Sequence, residues 1–322
     1  HDYLAEFKRD VLDFYDCFTV GEGPRMEPEV ALSYVREGKD KVLDMMINFA
    51  HMEADCFITD FLQRPFDLVK LKKAFTKWQT KMYGKGWNAL YMENHDHPRI
   101  ISRYGSEKYR VESGKSIAAS YLFQRGTPFV YQGQEIGMIN TPLPSLDDYK
   151  DIMVKNNARI ARSLGLSKET VLRLAQKASR DNARTCMQWS GAPNAGFTNG
   201  KPWFVVNSNY KDINVESQLG DPGSILNFYR NALQFRRDNP VVIYGDYVEH
   251  MPKSKELYVY ERNLAGKKLL VICSYSEKCV RFDAPEGITL DETKQVFGNY
   301  DNNFVISNGF TTRPYEMRVY LF

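Results

Sequence analysis

The stretch of sequence that decides the fold reads N-A-L-Y-M-E-N-H-D over residues 88–96. Residues 88–92 are a predicted strand in which Asn88 is followed by four apolar residues without polar alternation, which is typical of a strand buried on both faces. A helical pattern follows over residues 112–124, and a further buried strand is predicted over residues 127–131. Polar residues come directly after both strands, as E-N-H-D and as Q-G-Q-E. This stretch therefore predicts parallel strands connected by a helix.

The same alternation of strands and helices extends to both sides of this stretch. Ser224 is a predicted N-cap for the last of the helices, and Asn239-Pro240 is its predicted stop. The further elements that we predict are strands at residues 17–21 and 42–50 and helices at residues 3–15, 67–82, 167–179 and 225–237.

Four strand–helix units of this kind indicate an α/β protein with helices on the faces of a parallel sheet. The sheet is either open and doubly wound or closed into a (β/α) barrel. No G-x-G-x-x-G sequence follows a predicted strand, which disfavours a dinucleotide-binding sheet. In a barrel, the carboxyl ends of the strands form one face, and that face carries the chemistry. The polar residues that follow the predicted strands are Glu22, His51, Asp96 and Glu135.

After Pro240 the pattern changes to short strands separated by turn residues such as Gly266 and Gly287, with no helical pattern between them. We therefore expect two domains. Residues 1–245 form the α/β part, and residues 246–322 form a small antiparallel β domain. The strands predicted in this second domain are residues 257–261, 269–275, 280–282 and 318–322.

Composition narrows the class of protein. The 322 residues are 43% apolar and 26% charged, as in an ordinary globular protein of about two domains. The net charge of +3 gives little support to a nucleic-acid partner, and no apolar run reaches the roughly 18–20 residues of a membrane span. The five cysteines show no Cys-x-x-Cys spacing, so we expect buried, reduced thiols and a cytoplasmic protein. The 13% aromatic content indicates either a large core or a sugar- or base-stacking cleft.

Two acidic residues at strand ends are the leading candidates for catalysis. Glu22 follows the first predicted strand, and Asp96 follows the third. If both carboxylates face one mouth, they can serve as the general acid and the charge stabiliser of glycoside cleavage. The alternative interpretation is that both are ordinary surface acids at the start of loops.

Histidine and arginine residues near these carboxylates are candidates for binding. His95, in the run H-D-H, is either a weak metal-ligand candidate or a hydrogen-bond partner for a ligand rich in hydroxyl groups. Arg180 and Arg184 flank D-N-A, where they are either surface charges or guanidinium groups that bind sugar hydroxyls or an acidic partner. Arg99, which follows H-D-H-P, is a further candidate for substrate binding.

Five longer motifs occur in order along the chain. They read V-G-E-G-P at 20–24, E-N-H-D-H-P-R-I-I-S-R-Y-G at 93–105, T-P-F-V-Y-Q-G-Q-E-I-G-M at 127–138, S-R-D-N-A-R-T-C-M-Q-W at 179–189 and K-P-W-F-V-V-N-S-N-Y-K-D-I-N-V-E at 201–216. Together they closely resemble the oligo-1,6-glucosidase and dextran glucosidase branch of the alpha-amylase superfamily, over nearly all of the 322 residues.

The resemblance implies the C-terminal half of a (β/α)8 barrel followed by a β domain. It also implies a retaining, exo-acting α-glucosidase whose substrate is a short oligosaccharide, with isomaltose-type α-1,6 linkages favoured. Glu22 matches the family's general acid/base, and Asp96 matches the carboxylate that stabilises the transition state. His95 matches the histidine that hydrogen-bonds the sugar in the first subsite. Arg184 matches the arginine that holds the non-reducing glucose, and Arg180 lies near it.

The resemblance leaves alternatives open within the superfamily. One is a trehalose-6-phosphate hydrolase or a sucrose-active relative, and another is a non-catalytic interaction protein. The resemblance implies no cofactor in this chain, although it allows a structural calcium ion in the family's N-terminal half.

The sequence also departs from the family's pattern. The family's nucleophile lies in a G-F-R-x-D motif before V-G-E, and no such motif precedes Glu22. We therefore expect the chain to be a fragment that is inactive alone and that associates with itself or with an N-terminal half. Ala50 and Met153 stand where many members have Glu, which affects the site for the leaving group, and Cys186 replaces a common Pro.

Overall fold

The computed structural model describes residues 1–38, 41–57, 61–301 and 308–322. The α-helices are α1 (Asp2–Asp10), α2 (Pro28–Val35), α3 (Leu68–Met82), α4 (Ile100–Tyr104), α5 (Arg110–Leu122), α6 (Ile152–Ser163), α7 (Lys168–Ala178), α8 (Val215–Leu219), α9 (Ile225–Asp238) and α10 (Pro240–Tyr244). The strands are β1 (Val20–Gly23), β2 (Met45–Asn48), β3 (Ala89–Leu90), β4 (Thr127–Pro128), β5 (Val248–His250), β6 (Leu257–Leu264), β7 (Lys267–Ser274), β8 (Val280–Asp283), β9 (Gln295–Gly298), β10 (Gly309–Thr312) and β11 (Met317–Leu321).

Strands β1 to β4 run parallel, as the sequence predicts. β1 pairs with β2, β3 pairs with β4, and a parallel bridge between Met46 and Asn88 joins the two pairs. β3 is shorter than the predicted strand, since its pairing with β4 ends at Leu90. Tyr91 and Met92 follow the strand and are buried. Their apolar character reflects burial in the core rather than strand pairing.

Helices pack on these strands through the predicted apolar faces. In α3 the Asp67 carboxylate caps the first turn, and in α9 Ser224 accepts a hydrogen bond from the backbone N–H of Asn227, which confirms the predicted N-cap. Pro240 does not simply stop the chain's helical structure, since it begins α10. None of the helices that the structure describes is long and apolar enough to cross a membrane. The buried stripe of α3 contains Leu68, Leu71, Phe75, Trp78 and Met82.

The sequence pattern does not predict α2 or α6. α6 buries Val154, Ala158 and Ala161 but leaves Ile152 and Ile160 exposed. Its buried residues recur at helical spacing, but two of the three are alanines and two isoleucines are exposed, so the apolar stripe is weak in the sequence. α2 has only eight residues, which is too short to show a clear period.

The last part of the chain is antiparallel, as predicted. One sheet has the strand order β5-β6-β7-β11-β9, and β8 pairs separately with β10. Tyr260 and Val271 share a core with Ile117 of α5, whereas Ile272 belongs to a second core that contains Phe310. Both faces of the sheet are therefore covered, one by the helical part of the chain and the other by the β8–β10 pair.

The five cysteines form no disulfide bond. Cys186 and Cys273 are buried, as expected for structural thiols in a core. Cys17 and Cys279 are exposed, and Cys56 is half-buried, so the expectation of buried thiols is wrong for these three.

Candidate active site

Glu22 lies at the carboxyl end of β1, opposite Ile47 of β2. The neighbouring Gly21 leaves no space for a side chain, because a Cβ there would lie 2.7 Å from Leu43 and 2.8 Å from Met46. Glycine therefore lets β1 pack closely on its neighbours while the exposed Glu22 carboxylate extends from the strand.

Asp96 lies in the loop that follows β3, where several hydrogen bonds fix it. The side-chain oxygen of Asn94 accepts a 2.9 Å hydrogen bond from the Asp96 backbone N–H. The Asp96 Oδ1 atom accepts hydrogen bonds from Arg184 Nη2 at 2.7 Å and from Arg180 Nη1 at 3.3 Å. Two guanidinium groups therefore orient this carboxylate and balance its charge.

The two arginines are themselves anchored. Arg184 Nε donates to the His95 carbonyl at 2.9 Å, and Arg180 donates to the buried Asp151 carboxylate at 2.6 Å. Burial alone would raise the pKa of Asp151, but hydrogen bonds from Arg180 and from two backbone amides lower that pKa below its ordinary value. Asp151 is thus a charged anchor that holds Arg180 against Asp96.

Glu22, Asp96 and Arg180 line one cavity of about 1040 Å³. The cavity is bordered by the ends of β1 and β2 and by the loop after β3, so the expectation that the two carboxylates face one mouth agrees with the structure. His95 and Arg184 contact Asp96 at the border of this cavity. The His95 Nε2 atom lies 3.5 Å from Asp96 Oδ2, and its side chain is 65% exposed, so it is accessible to a ligand.

The prediction that Arg99 binds substrate is wrong. Its side chain is fully buried and pairs with the buried Glu93 at 3.0 Å, and it also donates to the Gln132 carbonyl at 2.8 Å. Gly133 has a φ of +90°, and a Cβ there would lie 3.1 Å from the guanidinium group of Arg99. Arg99 therefore joins the loops that follow β3 and β4 and does not reach the cavity.

Two of the polar residues that follow predicted strands, His51 and Glu135, do not line the cavity. His51 is buried, with its ring stacked on Phe75 and edge-on to Tyr91. Glu135 accepts a 2.7 Å hydrogen bond from the backbone N–H of Gly133 and so stabilises its own loop. The expectation that polar residues directly after strands carry the chemistry therefore finds Glu22 and Asp96, but it does not separate them from residues with structural roles.

The burial of His51 makes the stability of the folded chain sensitive to acid. Removal from water, with a further contribution from the charge of His97, lowers the pKa of His51 from 6.5 to about 3. Between pH 6.5 and pH 3, His51 binds a proton in the unfolded chain but not in the folded chain. The free energy of unfolding is therefore highest above pH 6.5 and decreases as pH falls below that value.

We expect the free energy of unfolding to fall by about 2 kcal/mol between pH 6.5 and pH 5 because of His51. Urea denaturation at a series of pH values measures this dependence. The variant His51→Asn is the control, and its pH dependence should be weaker by that amount. An identical pH dependence in the variant and the parent would contradict the assignment to His51.

Sequence reasoning missed several residues around the cavity. Phe57 and Lys70 line it without belonging to any of the quoted motifs, and Asp151 acts through Arg180. Of this segment, only Met153 gave a signal in the sequence, because it stands where many family members have Glu. Among the residues that the structure describes, no group of three or more His, Cys, Asp or Glu side chains is arranged to hold a metal ion.

Comparison with known proteins gives the family context. The alpha amylase catalytic domain family matches residues 1–245. Over 324 residues the chain is 40% identical to an oligo-1,6-glucosidase of Parageobacillus thermoglucosidasius. It is 36% identical to a trehalose-6-phosphate hydrolase of Bacillus subtilis, also over 324 residues. Each match covers 99% of this chain and 58% of the relative, so the chain spans little more than half the length of these relatives.

Solved structures show the same relationship in three dimensions. A trehalose-6-phosphate hydrolase of Bacillus licheniformis superimposes with a TM-score of 0.93 at 39% identity. An isomaltulose synthase of Klebsiella sp. LX3 superimposes with a TM-score of 0.94 at 31% identity. Each covers the whole of this chain, which corresponds to 59% and 58% of those structures, respectively. The predicted fold, part of a (β/α)8 barrel followed by an antiparallel β domain, is confirmed, and the chain belongs to the alpha amylase catalytic domain family.

Proposed function

We propose that this chain contributes the acid/base part of a retaining α-glucosidase that removes glucose from short α-linked oligosaccharides such as isomaltose. The observation that carries the proposal is the presence of Glu22 and Asp96 on one cavity, with Asp96 held by Arg180 and Arg184. Two carboxylates that line one cavity can serve glycoside cleavage, one as the general acid and the other as the group that stabilises developing positive charge. The oligo-1,6-glucosidase relative supports the choice of substrate.

The arrangement assigns a role to each side chain. Glu22 lines the cavity, and its carboxylate forms no hydrogen bond or ion pair with the described part of the chain; it protonates the leaving oxygen and then removes a proton from the attacking water. Asp96, held between its two arginines, stabilises the positive charge that develops at the anomeric carbon. His95 and Arg184 bind hydroxyl groups of the glucose next to Asp96.

The nucleophile of this mechanism is a carboxylate that attacks the anomeric carbon. We propose that residues outside this sequence supply it, since the family places it before the V-G-E strand. An exposed apolar surface beside β1 supports such an association. The first predicted helix ends at Asp10 rather than residue 15, a 3-10 turn follows over Leu12–Phe14, and neither segment buries a side chain. The exposed aromatic residues of this surface are Tyr3, Phe7, Phe14, Tyr15 and Phe18.

The experiment is a fusion in which this chain replaces the matching C-terminal part of the Parageobacillus thermoglucosidasius oligo-1,6-glucosidase. We expect the fusion to hydrolyse isomaltose and to release the glucose of the non-reducing end first as the α-anomer, as seen by proton NMR, and we expect the 322-residue chain alone to release none. A folded fusion that releases no glucose, or that releases the β-anomer first, would contradict the proposal. Circular dichroism and gel filtration establish that the fusion is folded.

Trehalose 6-phosphate is the second substrate to test. Two cationic side chains, Arg25 and Lys70, line the same cavity and offer partners for a phosphate group. The trehalose-6-phosphate hydrolase structure from Bacillus licheniformis also matches the whole of this chain. A higher kcat/KM for trehalose 6-phosphate than for isomaltose would assign the site to a phosphorylated disaccharide.

We also propose that the protein works in the cytoplasm. The buried thiols of Cys186 and Cys273 and the exposed thiols of Cys17 and Cys279 form no disulfide. Free surface thiols are typical of reducing compartments. Fractionation of the native cells, with an antibody against this chain, tests the location.

A further inference from the structure

A much smaller cavity lies between helix α3 and strands β2 and β3, and its wall includes His51, Asn88 and Leu90. Within the described part of the chain, it shares no lining residue with the cavity that contains Glu22 and Asp96. Its volume is about 10 Å³. A site for one water molecule needs roughly 10–15 Å³ of space open to a water-sized sphere. The cavity therefore has room for a single water molecule and is too small for a sugar.

Two buried polar atoms on the wall of this cavity have no hydrogen-bond partner among the described residues. They are Nε2 of His51 and Oδ1 of Asn88, and each residue is only 2% exposed. Gln79 also lines the cavity, but both ends of its amide are bonded to the backbone of Arg125, at 2.9 and 3.0 Å. A buried acceptor that is left unpaired costs its full desolvation, and such atoms are rare in folded proteins. The two atoms therefore point to a ligand in the cavity.

The other contacts of the two side chains show that both unpaired atoms are acceptors. The His51 ring donates to the backbone carbonyl of Tyr91, and since Nε2 is unpaired, the donor is Nδ1 and Nε2 carries a lone pair. The Asn88 Nδ2 atom donates to the Arg125 carbonyl at 3.3 Å, which fixes the orientation of the amide and leaves Oδ1 as the acceptor. Two acceptors cannot bond to each other, so the ligand must supply two donors.

We infer that the cavity binds one water molecule, which donates one hydrogen bond to His51 Nε2 and the other to Asn88 Oδ1. Water is the smallest molecule with two O–H donors, and a metal ion would need more ligands than these two atoms. The water completes a chain of hydrogen bonds that runs from the Tyr91 carbonyl through His51 and Asn88 to the Arg125 carbonyl. It thus joins the turn after β2 to the start of β3 as a permanent part of the fold. The inference does not depend on the proposed function.

A crystal structure of the 322-residue chain tests this inference. We expect a water peak that lies about 2.7–3.2 Å from both His51 Nε2 and Asn88 Oδ1. The variant His51→Phe keeps a ring stacked on Phe75 but has no acceptor, so the peak should be lost. Leu90→Val is the matched control, because it changes the same cavity but keeps both acceptors, and it should keep the peak. A parent without the peak, or a peak that is unchanged in His51→Phe, would overturn the inference.

A measurement in solution decides the question even if His51→Phe does not fold. In the parent protein with labelled histidine, NMR detects the transfer of magnetisation from water to the ring protons. The proton on Cδ2 of His51 neighbours Nε2 and is distant from the exchangeable proton on Nδ1, so it reports a water bound at Nε2. We expect a cross peak with the sign of a long-lived, buried water, and a surface residue such as His95 should show none. Absence of the His51 cross peak in the folded parent would show that no water is bound there.

Discussion

Replacing Glu22 by Gln in the fusion protein is expected to lower kcat for isomaltose by about 10³-fold. Gln has the shape of Glu and keeps its hydrogen-bonding capacity, but it cannot give a proton to the leaving oxygen. The exposed position of Glu22 on β1 means that the core does not depend on its carboxylate, so the variant should fold like the parent. Steady-state kinetics with isomaltose measures the effect.

Two comparisons make this prediction specific to proton donation. With 4-nitrophenyl α-glucoside the loss should be much smaller in the first, glucosyl-transfer step, because 4-nitrophenolate leaves without being protonated; the burst of nitrophenol measures that step. Glu53 is a matched control, since it is another exposed acid that lines the same cavity. The variant Glu53→Gln should keep kcat within about threefold of the parent. A loss of the same size for both substrates, or for both variants, would show that Glu22 does not act as the acid.

The sequence predicts the leading site residues for a physical reason. Parallel strands have their carboxyl ends on one edge, so acids that directly follow them, such as Glu22 and Asp96, converge without any knowledge of the loops. The same rule fails for His51 because it gives direction along the chain but not the depth of burial. Arg99 becomes structural through Glu93, six residues earlier in the same loop, and only the folded loop brings their side chains within 3.0 Å.

The apolar part of the cavity was not predictable in the same way. Phe57 and Met153 are 96 residues apart, and the sequence singles out only Met153, because it stands where many family members have Glu. Exposure distinguishes them from core residues, and exposure depends on packing between distant segments. The missed helix α6 illustrates this limit, since its exposed Ile152 and Ile160 obscure the period by which a buried helix face is recognised.

Replacing Asp55 by Ala is expected to lower the free energy of unfolding by about 3–5 kcal/mol. Asp55 and Arg103 form a buried pair, with Asp55 Oδ1 2.6 Å from Arg103 Nη2 and Oδ2 2.9 Å from Nε. Arg103 Nη2 also donates to the Met52 carbonyl at 2.7 Å. This pair therefore ties the segment after β2, which contributes Ala50 and Cys56 to the cavity, to helix α4. The midpoint and slope of urea denaturation measure the loss.

The loss of stability in Asp55→Ala arises mainly from the unbalanced charge of Arg103 rather than from the lost attraction between the two side chains. Without Asp55, the guanidinium group of Arg103 stays buried with no carboxylate to balance it, and it must be desolvated at each folding event. The double variant Asp55→Leu/Arg103→Met removes both charges and should therefore be more stable than Asp55→Ala. Asp283→Ala breaks the exposed pair with Arg281 and should change the free energy of unfolding by less than about 1 kcal/mol. If Asp55→Ala were as mild as Asp283→Ala, the buried pair would not anchor this wall of the cavity, and the shape of the wall would have to depend on apolar packing alone.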